Sequence, residues 1–273
     1  MIVAVVLSIL FNSRNKSNKQ LVETNLKLQE ANNKLNISES SLKELNSVKD
    51  KFFSIITHDL RGPLSTLKML LINYMENTEA FTKEEMISFT KKILDSTDNV
   101  SCLFENLLIW SKTETNNVIY KPEELNLAEI TEQTLKLFKL RLIQKEINIS
   151  INVDGNILVF ADKNMLSFVL RNLIDNAIKY TEKDGKIEVN AANIEDNFIK
   201  ISVNDNGIGI EQKNLNNLFQ INTHFSSGGT QNEKGTGLGL IICKEFIEKN
   251  NGKIWVESKQ GIGSSFYFTL LNG

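Results

Sequence analysis

The stretch that decides the fold is LRNLIDNAIKYT, residues 170–181. Apolar residues at helical spacing predict a buried helix face, made by Leu166, Leu170, Leu173 and Ala177. On an adjacent face, Asn172, Asn176 and Lys179 follow one another at i, i+4 and i+7. Two amide oxygens and an ammonium in a row suit a Mg²⁺ ion and the phosphates that it bridges.

Downstream, DNGIGI at residues 205–210 follows a segment of alternating apolar residues that ends at Val203. Gly207 and Gly209 permit a tight turn and a close approach of the backbone to a ligand. The Asp205 carboxylate beside them can accept a hydrogen bond from the exocyclic amine of adenine.

A second glycine-rich block, GTGLGL at residues 235–240, opens a helical run over 241–249. Free amides and the helix dipole favour phosphate there. The candidate binding residues of this block are Gly235, Thr236, Gly237, Leu238 and Gly239. A polar stretch, 226–234, precedes the block where a dinucleotide fingerprint needs a strand, so the Rossmann context is absent.

Upstream, SIITHDLRGPL at residues 54–64 holds one of the two histidines of the chain. Its polar neighbours place His58 on the outer face of a helix. A neutral imidazole can attack phosphorus if a neighbour orients the proton on its other nitrogen, and Asp59 suits that role. Pro63 should bend the helix beside His58, either as part of a switch or as an ordinary kink.

Helical spacing predicts one long helix from about residue 20 to residue 75 and a second from about 84 to 112, with a turn at 76–83. A heptad seam begins the first helix, with leucines at Leu21, Leu28, Leu35 and Leu42. The seam predicts a parallel coiled coil; the alternative is one amphipathic helix lying on its own domain. A hairpin cannot bury both apolar faces alone, so we expect a homodimeric four-helix bundle.

Short segments of period two appear among helices in the last part of the chain. Strands are predicted at 147–153, 199–203 and 254–256, and helices at about 127–144, 162–180 and 237–250. This pattern indicates an α+β sandwich with helices on one face of a sheet. The chain is therefore predicted to divide into four segments: the end of a membrane helix at 1–11, the coiled coil at 12–49, the helical hairpin at 50–117 and the α+β sandwich at 121–273.

Charge argues against a nucleic-acid-binding role, because 31 basic and 33 acidic residues are spread along the 273-residue chain. Cys102 and Cys243 lack metal-ligand spacing, and we interpret both as reduced core residues. Residues 1–11 are nearly all apolar and are followed by basic residues, which indicates the end of a membrane helix with the rest of the chain in the cytoplasm. A buried or interfacial N-terminal helix is the alternative.

The four blocks, in this order, resemble the H, N and two G boxes of two-component sensor histidine kinases, over about residues 49–273. GIGS at 261–264 is similar to the final glycine pair of the same GHKL-type nucleotide fold. The resemblance implies ATP between the N and G boxes, Asn176 as the Mg²⁺ ligand, and Asp205 on adenine. It places three residues near the phosphates or the nucleotide: Asn172, Lys179 and Tyr180. It also implies a lid at about 214–234 with Phe219 and Phe225 as anchors, although the sequence around them departs from the usual pattern; His224 receives no role.

The implied activity is transfer of the ATP γ-phosphoryl to His58 and then to an aspartate of a response-regulator receiver domain, in a protein of the bacterial cytoplasmic membrane. Many relatives carry Thr or Asn four residues after the phosphorylated histidine to orient a water; here that residue is Gly62. We therefore expect feeble phosphatase activity. One alternative is an ATPase of the same nucleotide fold, such as a chaperone or topoisomerase subunit, which would not need His58 and Asp59. Another is a non-catalytic dimeric scaffold, against which the intact boxes argue.

Overall fold

A computed structural model describes residues 2–76, 82–114, 120–194, 197–220, 229–230 and 237–273. For helical residues 2–13, 16–17, 41, 44–45, 47–59, 95, 99, 102 and 110–114 this description is limited to the backbone. The helices are α1 (Ile2–Glu76), α2 (Lys83–Glu114), α3 (Leu127–Gln144), α4 (Lys163–Tyr180), α5 (Gln212–Leu215) and α6 (Gly239–Lys249). The strands are β1 (Pro122–Asn126), β2 (Asn148–Asn152), β3 (Leu158–Asp162), β4 (Lys186–Ile194), β5 (Phe198–Asp205), β6 (Ile254–Lys259) and β7 (Gly263–Asn272).

The chain divides into two compact units, Met1–Phe53 and Ser54–Gly273. The predicted continuity of the first helix is confirmed, since α1 runs without interruption and contains Pro63. In the first unit the heptad leucines are exposed in the single chain. Among the described residues, no helix combines the length and apolar content needed to cross a bilayer.

The second unit begins with a helical hairpin made by the end of α1 and by α2. A capping box starts α2: the amide of Glu85 donates to Thr82 Oγ1 at 3.3 Å, and Glu85 Oε2 accepts from the Thr82 amide at 2.9 Å. Hydrogen bonds from the Thr82 amide and the Thr82 hydroxyl to the Glu85 carboxylate lower the pKa of Glu85. The two helices lie side by side, because Ser96 Oγ donates to the carbonyl of Pro63 at 3.1 Å.

A seven-stranded mixed sheet forms the rest of the second unit. Its order is β1-β3-β7-β5-β4-β2, with β6 also paired to β7; β2 and β4 are parallel and the other pairs are antiparallel. Alternate residues of the central strands build the buried face: Ile187, Val189, Ile199, Ile201, Val203, Phe266, Phe268 and Leu270. Helices α3, α4 and α6 pack their buried residues on this face. The opposite face carries polar and aromatic residues such as Lys200 and Tyr267.

Periodicity located the helices of this sheet domain closely. The α3 helix has the predicted bounds, α4 begins one residue later than predicted, and α6 lies inside the predicted 237–250. Three of the seven strands were predicted, namely β2, β5 and β6. The prediction missed β1, β3, β4 and β7. The β4–β5 and β6–β7 pairs join consecutive strands, whereas the β1–β3, β2–β4, β3–β7 and β5–β7 pairs join strands that are distant in sequence.

Candidate active site

Helix α4 is the element around which the candidate site is built. Its N-cap is Asp162, whose carboxylate accepts from the amides of Asn164 at 3.0 Å and Met165 at 3.1 Å. Its apolar face is buried as predicted, with Leu166, Leu170, Leu173 and Ala177 nearly inaccessible. Asn172, Asn176 and Tyr180 remain half-buried at the edge of this core. From Asn172 to Tyr180 the helix advances about 12 Å.

The second glycine-rich block meets α4 at Asn172. Asn172 Nδ2 donates to the carbonyl of Phe168 at 3.0 Å. A Cβ added to Gly239 would lie 2.3 Å from Asn172 Oδ1, so the first residue of α6 can approach this amide only without a side chain. No side chain caps the α6 start at Leu238, and the preceding Gly237 has a positive φ of 66°. The amides that begin α6 are therefore placed beside Asn172.

The first glycine-rich block meets the other end of α4. The amide of Ile208 donates to the carbonyl of Tyr180 at 3.1 Å. A Cβ on Gly207 would lie 2.2 Å from that same carbonyl oxygen. Because the first loop packs at Tyr180 and the start of α6 packs at Asn172, the two glycine-rich blocks, which are distant in sequence, both meet α4, with Asn176 between the two contact points.

Asp205 lies at the end of β5, where this loop begins. Its Oδ1 accepts from the amide of Gly207 at 2.9 Å and from the amide of Ser264 at 3.2 Å. Burial raises the pKa of the Asp205 carboxyl to about 6, although both hydrogen bonds act in the opposite direction. A half-buried acceptor with a fixed direction suits recognition of an amine on a flat, largely apolar ring.

The β6–β7 turn closes the site beside Asp205. Gly209 has a φ of 66°, and a Cβ there would lie 2.1 Å from the carbonyl of Lys259. Gly263, with a φ of 134°, would likewise place a Cβ 2.0 Å from the carbonyl of Asp205. The amide of Gly261 donates to the carbonyl of Ile208 at 2.7 Å. The predicted final glycine pair therefore packs directly on the first glycine-rich loop.

Lys179 differs from its prediction, since the structure buries the side chain instead of leaving it on a polar face. It is 4% exposed, and its Nζ lies 4.8 Å from the centre of the Tyr180 ring. Among the described residues, Nζ has no hydrogen-bond partner. An ammonium in this condition is costly unless an anion or another acceptor reaches it. Lys179 is thus a buried cation suited to a phosphate oxygen.

A metal at this site would depend on the ligand that accompanies it. In the described part of the chain no three His, Cys, Asp or Glu side chains cluster closely enough to hold an ion. Mg²⁺ commonly takes one or two protein oxygens and completes its shell with phosphates and water. Asn176, half-buried between the two loop contacts on α4, fits that limited role.

Several predicted site residues lie outside the described part of the chain. They are the side chains of His58 and Asp59, and the residues Gly235, Thr236, His224 and Phe225. Phe219 is described and is half-buried. The roles of these residues stay predictions.

Two polar residues that contact the end of α4, Lys145 and Thr230, were not predicted from the sequence. Lys145 Nζ donates to the carbonyl of Ile178 at 2.9 Å and to Thr230 Oγ1 at 2.8 Å. Lys145 lies beyond α3 in a stretch that the sequence analysis interpreted as a helix end, and Thr230 lies in the predicted lid. Neither has a local signal, because their partners are tens of residues away.

The hairpin also contacts α4. Arg171 Nη2 lies 3.9 Å from Glu105 Oε2 of α2, and both side chains are partly exposed. An ion pair of this length and exposure contributes little to stability.

The chain was then compared with known proteins. Residues 161–272 match the family model described as Histidine kinase-, DNA gyrase B-, and HSP90-like ATPase. The adaptive-response sensory kinase SasA of Synechocystis sp. is 31% identical over 230 residues, which are 81% of this chain and 59% of that protein. The chain spans less than two thirds of the length of the SasA kinases that it matches.

Solved structures show the same architecture. The Acinetobacter baumannii histidine kinase AdeS aligns with a TM-score of 0.63 at 25% identity, over 78% of this chain and 97% of that chain. Histidine kinase ThkA, in complex with the response regulator protein TrrA, aligns with a TM-score of 0.64 over 85% of this chain and 64% of that chain. At 22% identity, the likeness to ThkA shows the fold alone.

Proposed function

We propose, on the premise that this chain belongs to the sensor histidine kinase family, that it phosphorylates its own His58 from ATP and passes the phosphoryl group to an aspartate of a response regulator. The observation that carries the proposal is the convergence of the two glycine-rich blocks on α4, the helix that carries the buried Lys179 ammonium. That arrangement offers the Asp205 carboxylate as an acceptor for adenine, and the Lys179 ammonium and the amides at the start of α6 as donors for phosphates.

ATP would lie along α4, with Asp205 accepting from the adenine amine. The Lys179 ammonium would donate to a phosphate oxygen, and the amides at the start of α6 would face the phosphates. Asn176 would hold the Mg²⁺ that accompanies ATP, and that ion would neutralise charge on the phosphate oxygens. Each of these groups orients the γ-phosphoryl or stabilises its charge, which is most of what phosphoryl transfer requires.

In the transfer, a nitrogen of His58 forms a bond to the γ-phosphorus while the bond between that phosphorus and the bridging oxygen of ADP breaks. Asp59 would orient the imidazole by accepting a hydrogen bond from the N–H of its other nitrogen. The phosphoryl group then moves to an aspartate carboxylate of a receiver domain, which restores neutral His58. The partner is proposed from the family and from the ThkA structure, which contains a response regulator.

The proposal is tested by labelling purified protein with Mg-ATP. The unmodified protein should gain an acid-labile, alkali-stable phosphoryl group, and His58→Gln should gain none because the nucleophile is absent. The control is ATP binding by the His58→Gln protein, which should equal that of the unmodified protein. Persistent labelling of His58→Gln would refute the assignment.

The same assay separates this function from a simple ATPase of the same nucleotide fold. A chaperone-like or topoisomerase-like ATPase would release phosphate without a stable phosphoprotein. The kinase should instead retain one phosphoryl group per active chain until a regulator or water accepts it.

The assembly proposed here is a homodimer through the coiled coil and the hairpin. Its support is the row of large apolar side chains that a single hairpin leaves exposed, including Met69, Met75, Ile87, Leu94 and Phe104. Four helices packed together would bury such a surface.

Attachment to a bacterial cytoplasmic membrane, with the catalytic part on the cytoplasmic side, is likewise proposed. It is supported by the apolar residues 1–11 and by the basic residues Arg14, Lys16 and Lys19 that follow them. The side chains of residues 1–13 lie outside the described part.

A further inference from the structure

Lys145 is an unusual lysine because it is almost completely buried. It follows the last residue of α3 and is 4% exposed. Its Nζ donates to the carbonyls of Ile178 at 2.9 Å and Lys179 at 3.2 Å. These carbonyls belong to the last turn of α4, which has no intrahelical donor for them and carries the negative end of the helix dipole. A lysine from a neighbouring helix therefore caps α4.

Thr230 completes this cap from another part of the chain. Its amide donates to the carbonyl of Lys179 at 3.1 Å. Its hydroxyl accepts from Lys145 Nζ at 2.8 Å and lies 3.2 Å from the carbonyl of Lys179 and 3.1 Å from that of Thr181, to either of which it can donate. Three segments thus meet on the backbone of Lys179: the end of α3, the end of α4 and the chain at Thr230.

The residue held in this way is the one whose side chain supplies the buried cation. Lys179 is 4% exposed, and none of the described residues offers its Nζ a hydrogen-bond acceptor. The position of that ammonium depends on the position of its backbone, which Lys145 and Thr230 fix.

We propose that Lys145 and Thr230 are a pair of positioning residues that hold the Lys179 ammonium where it meets the phosphates of ATP, an inference that rests on the proposed function. The pair acts on the backbone of Lys179, the proposed phosphate donor. Asp205, which would recognise adenine, makes its hydrogen bonds to Gly207 and Ser264 and none to this pair among the described contacts. Loss of the pair should therefore weaken the binding of phosphates and spare the binding of adenine.

The experiment compares the affinities for ATP and adenosine in Lys145→Met, Thr230→Val and Thr230→Ser. Methionine and valine keep the approximate shape of the residues that they replace and remove only their side-chain hydrogen bonds, whereas the Thr230→Ser change keeps the hydroxyl. We expect the first two variants to bind ATP about tenfold more weakly, the effect of losing a hydrogen bond to a charged group. Adenosine affinity should stay within about twofold, and Thr230→Ser should bind ATP as the unmodified protein does.

Lys183→Met is the matched control, because Lys183 is an exposed lysine near the same turn that pairs with Glu146 at 2.8 Å. It should leave both affinities unchanged. The double variant of Lys145→Met and Thr230→Val should lose no more ATP affinity than either single variant, since both act through one cap. If Lys145→Met does not fold, shown by its thermal unfolding, the two Thr230 variants decide the question.

An equal loss of ATP and adenosine affinity would overturn the proposal, as would wild-type ATP affinity in Thr230→Val. An unmodified protein that binds ATP but does not label His58 would refute the proposed function and leave the positioning role supported by the binding data. Failure of the unmodified protein to bind ATP would overturn both.

Discussion

Asp205 shows how a residue's surroundings set its chemistry. The carboxyl ends a central strand and is held by the amides of Gly207 and Ser264. These donors favour the ionised form, but burial outweighs them and raises the pKa from 3.8 to about 6. The carboxylate is therefore ionised at neutral pH and becomes protonated at mildly acid pH, where it no longer accepts in the same way.

Adenosine binding should consequently weaken in acid. Between pH 7 and pH 5 the ionised fraction of a group with a pKa of about 6 falls about tenfold, and the affinity for adenosine should fall by about the same factor. Adenosine is the probe because it has no phosphate that titrates in this range. The measurement is calorimetric titration at several pH values.

Asp205→Asn provides the control for this prediction. Its weaker adenosine binding should not vary between pH 5 and pH 7, and a pH dependence equal to that of the unmodified protein would assign the titration to another group.

The stability of the fold should depend on pH in the opposite direction to adenosine binding. Because the pKa of Asp205 is higher in the folded state than in the unfolded state, ionisation of this carboxyl lowers the free energy of unfolding as the pH rises from about 4 to about 6. The Tm of Asp205→Asn should therefore exceed that of the unmodified protein at pH 8, and the difference should vanish near pH 4.

Helix α1 carries the predicted nucleophile next to two residues that disfavour helices. Pro63 cannot donate to the carbonyl four residues earlier, and Gly62 adds backbone freedom. The helix nevertheless continues through both, and α2 contributes a hydrogen bond from Ser96 to the Pro63 carbonyl. The hairpin partner therefore supports α1 near His58 in a way that the sequence of α1 does not reveal.

Gly62 of α1 is expected to limit the rate at which this protein removes phosphate from its regulator. It offers no side chain to orient a water one helical turn after His58, and such positioning can contribute ~10²-fold or more. We expect the unmodified protein to accelerate dephosphorylation of its phosphorylated regulator only slightly. Gly62→Thr should gain phosphatase activity, because the added hydroxyl can orient the water. The side chain has room there, since a Cβ at this position meets no atom within 4 Å. The measurement follows decay of the phosphorylated regulator with ADP present.

Gly62→Ala is the matched control, since it adds a Cβ without a hydroxyl and should gain nothing. Autophosphorylation of His58 should persist in both variants. Strong acceleration of decay by the unmodified protein would show that another group orients the water.

At the scale of the molecule, the two ends of the second unit differ in how well they bury apolar residues. The sheet domain encloses its core, with Leu173, Ile201 and Phe268 inaccessible. The hairpin buries few of its described apolar side chains, such as Leu70 and Leu103, and leaves others, such as Met69 and Phe104, exposed to solvent. A surface of this kind is typical of an association face.

Dimerisation should therefore depend on the hairpin and the heptad seam. We expect light scattering to give twice the mass of one chain, and Leu94→Asp to reduce that mass at micromolar concentration by placing a charge in the interface. Leu137→Asp is the control, because Leu137 is equally apolar and exposed but lies on α3 of the sheet domain. Loss of the dimer in Leu137→Asp, or its retention in Leu94→Asp, would contradict this assignment of the interface.

The sequence by itself determined the long first helix, the bounds of α3 and nearly those of α4, and it supplied the candidate residues of the proposed nucleotide site. These depend on interactions within one turn or on short motifs, so local spacing is sufficient to predict them. Asn172, Gly207 and Gly239 could be chosen because their residue types and neighbours already favour one chemistry. The tertiary structure then showed that Asn172 lies on α4 and that Gly207 and Gly239 pack against this helix.

Only the tertiary structure decided the burial of Lys179 and the cap formed by Lys145 and Thr230. Helical spacing placed Lys179 on a polar face, but packing of the end of α3 and of Thr230 against the end of α4 leaves it 4% exposed. Strands β1, β3 and β7 were missed for a related reason, since each is stabilised by hydrogen bonds to a strand far along the chain. Contacts between residues 34 and 85 positions apart, as Lys145 makes with Lys179 and Thr230, leave no periodic signal in either segment.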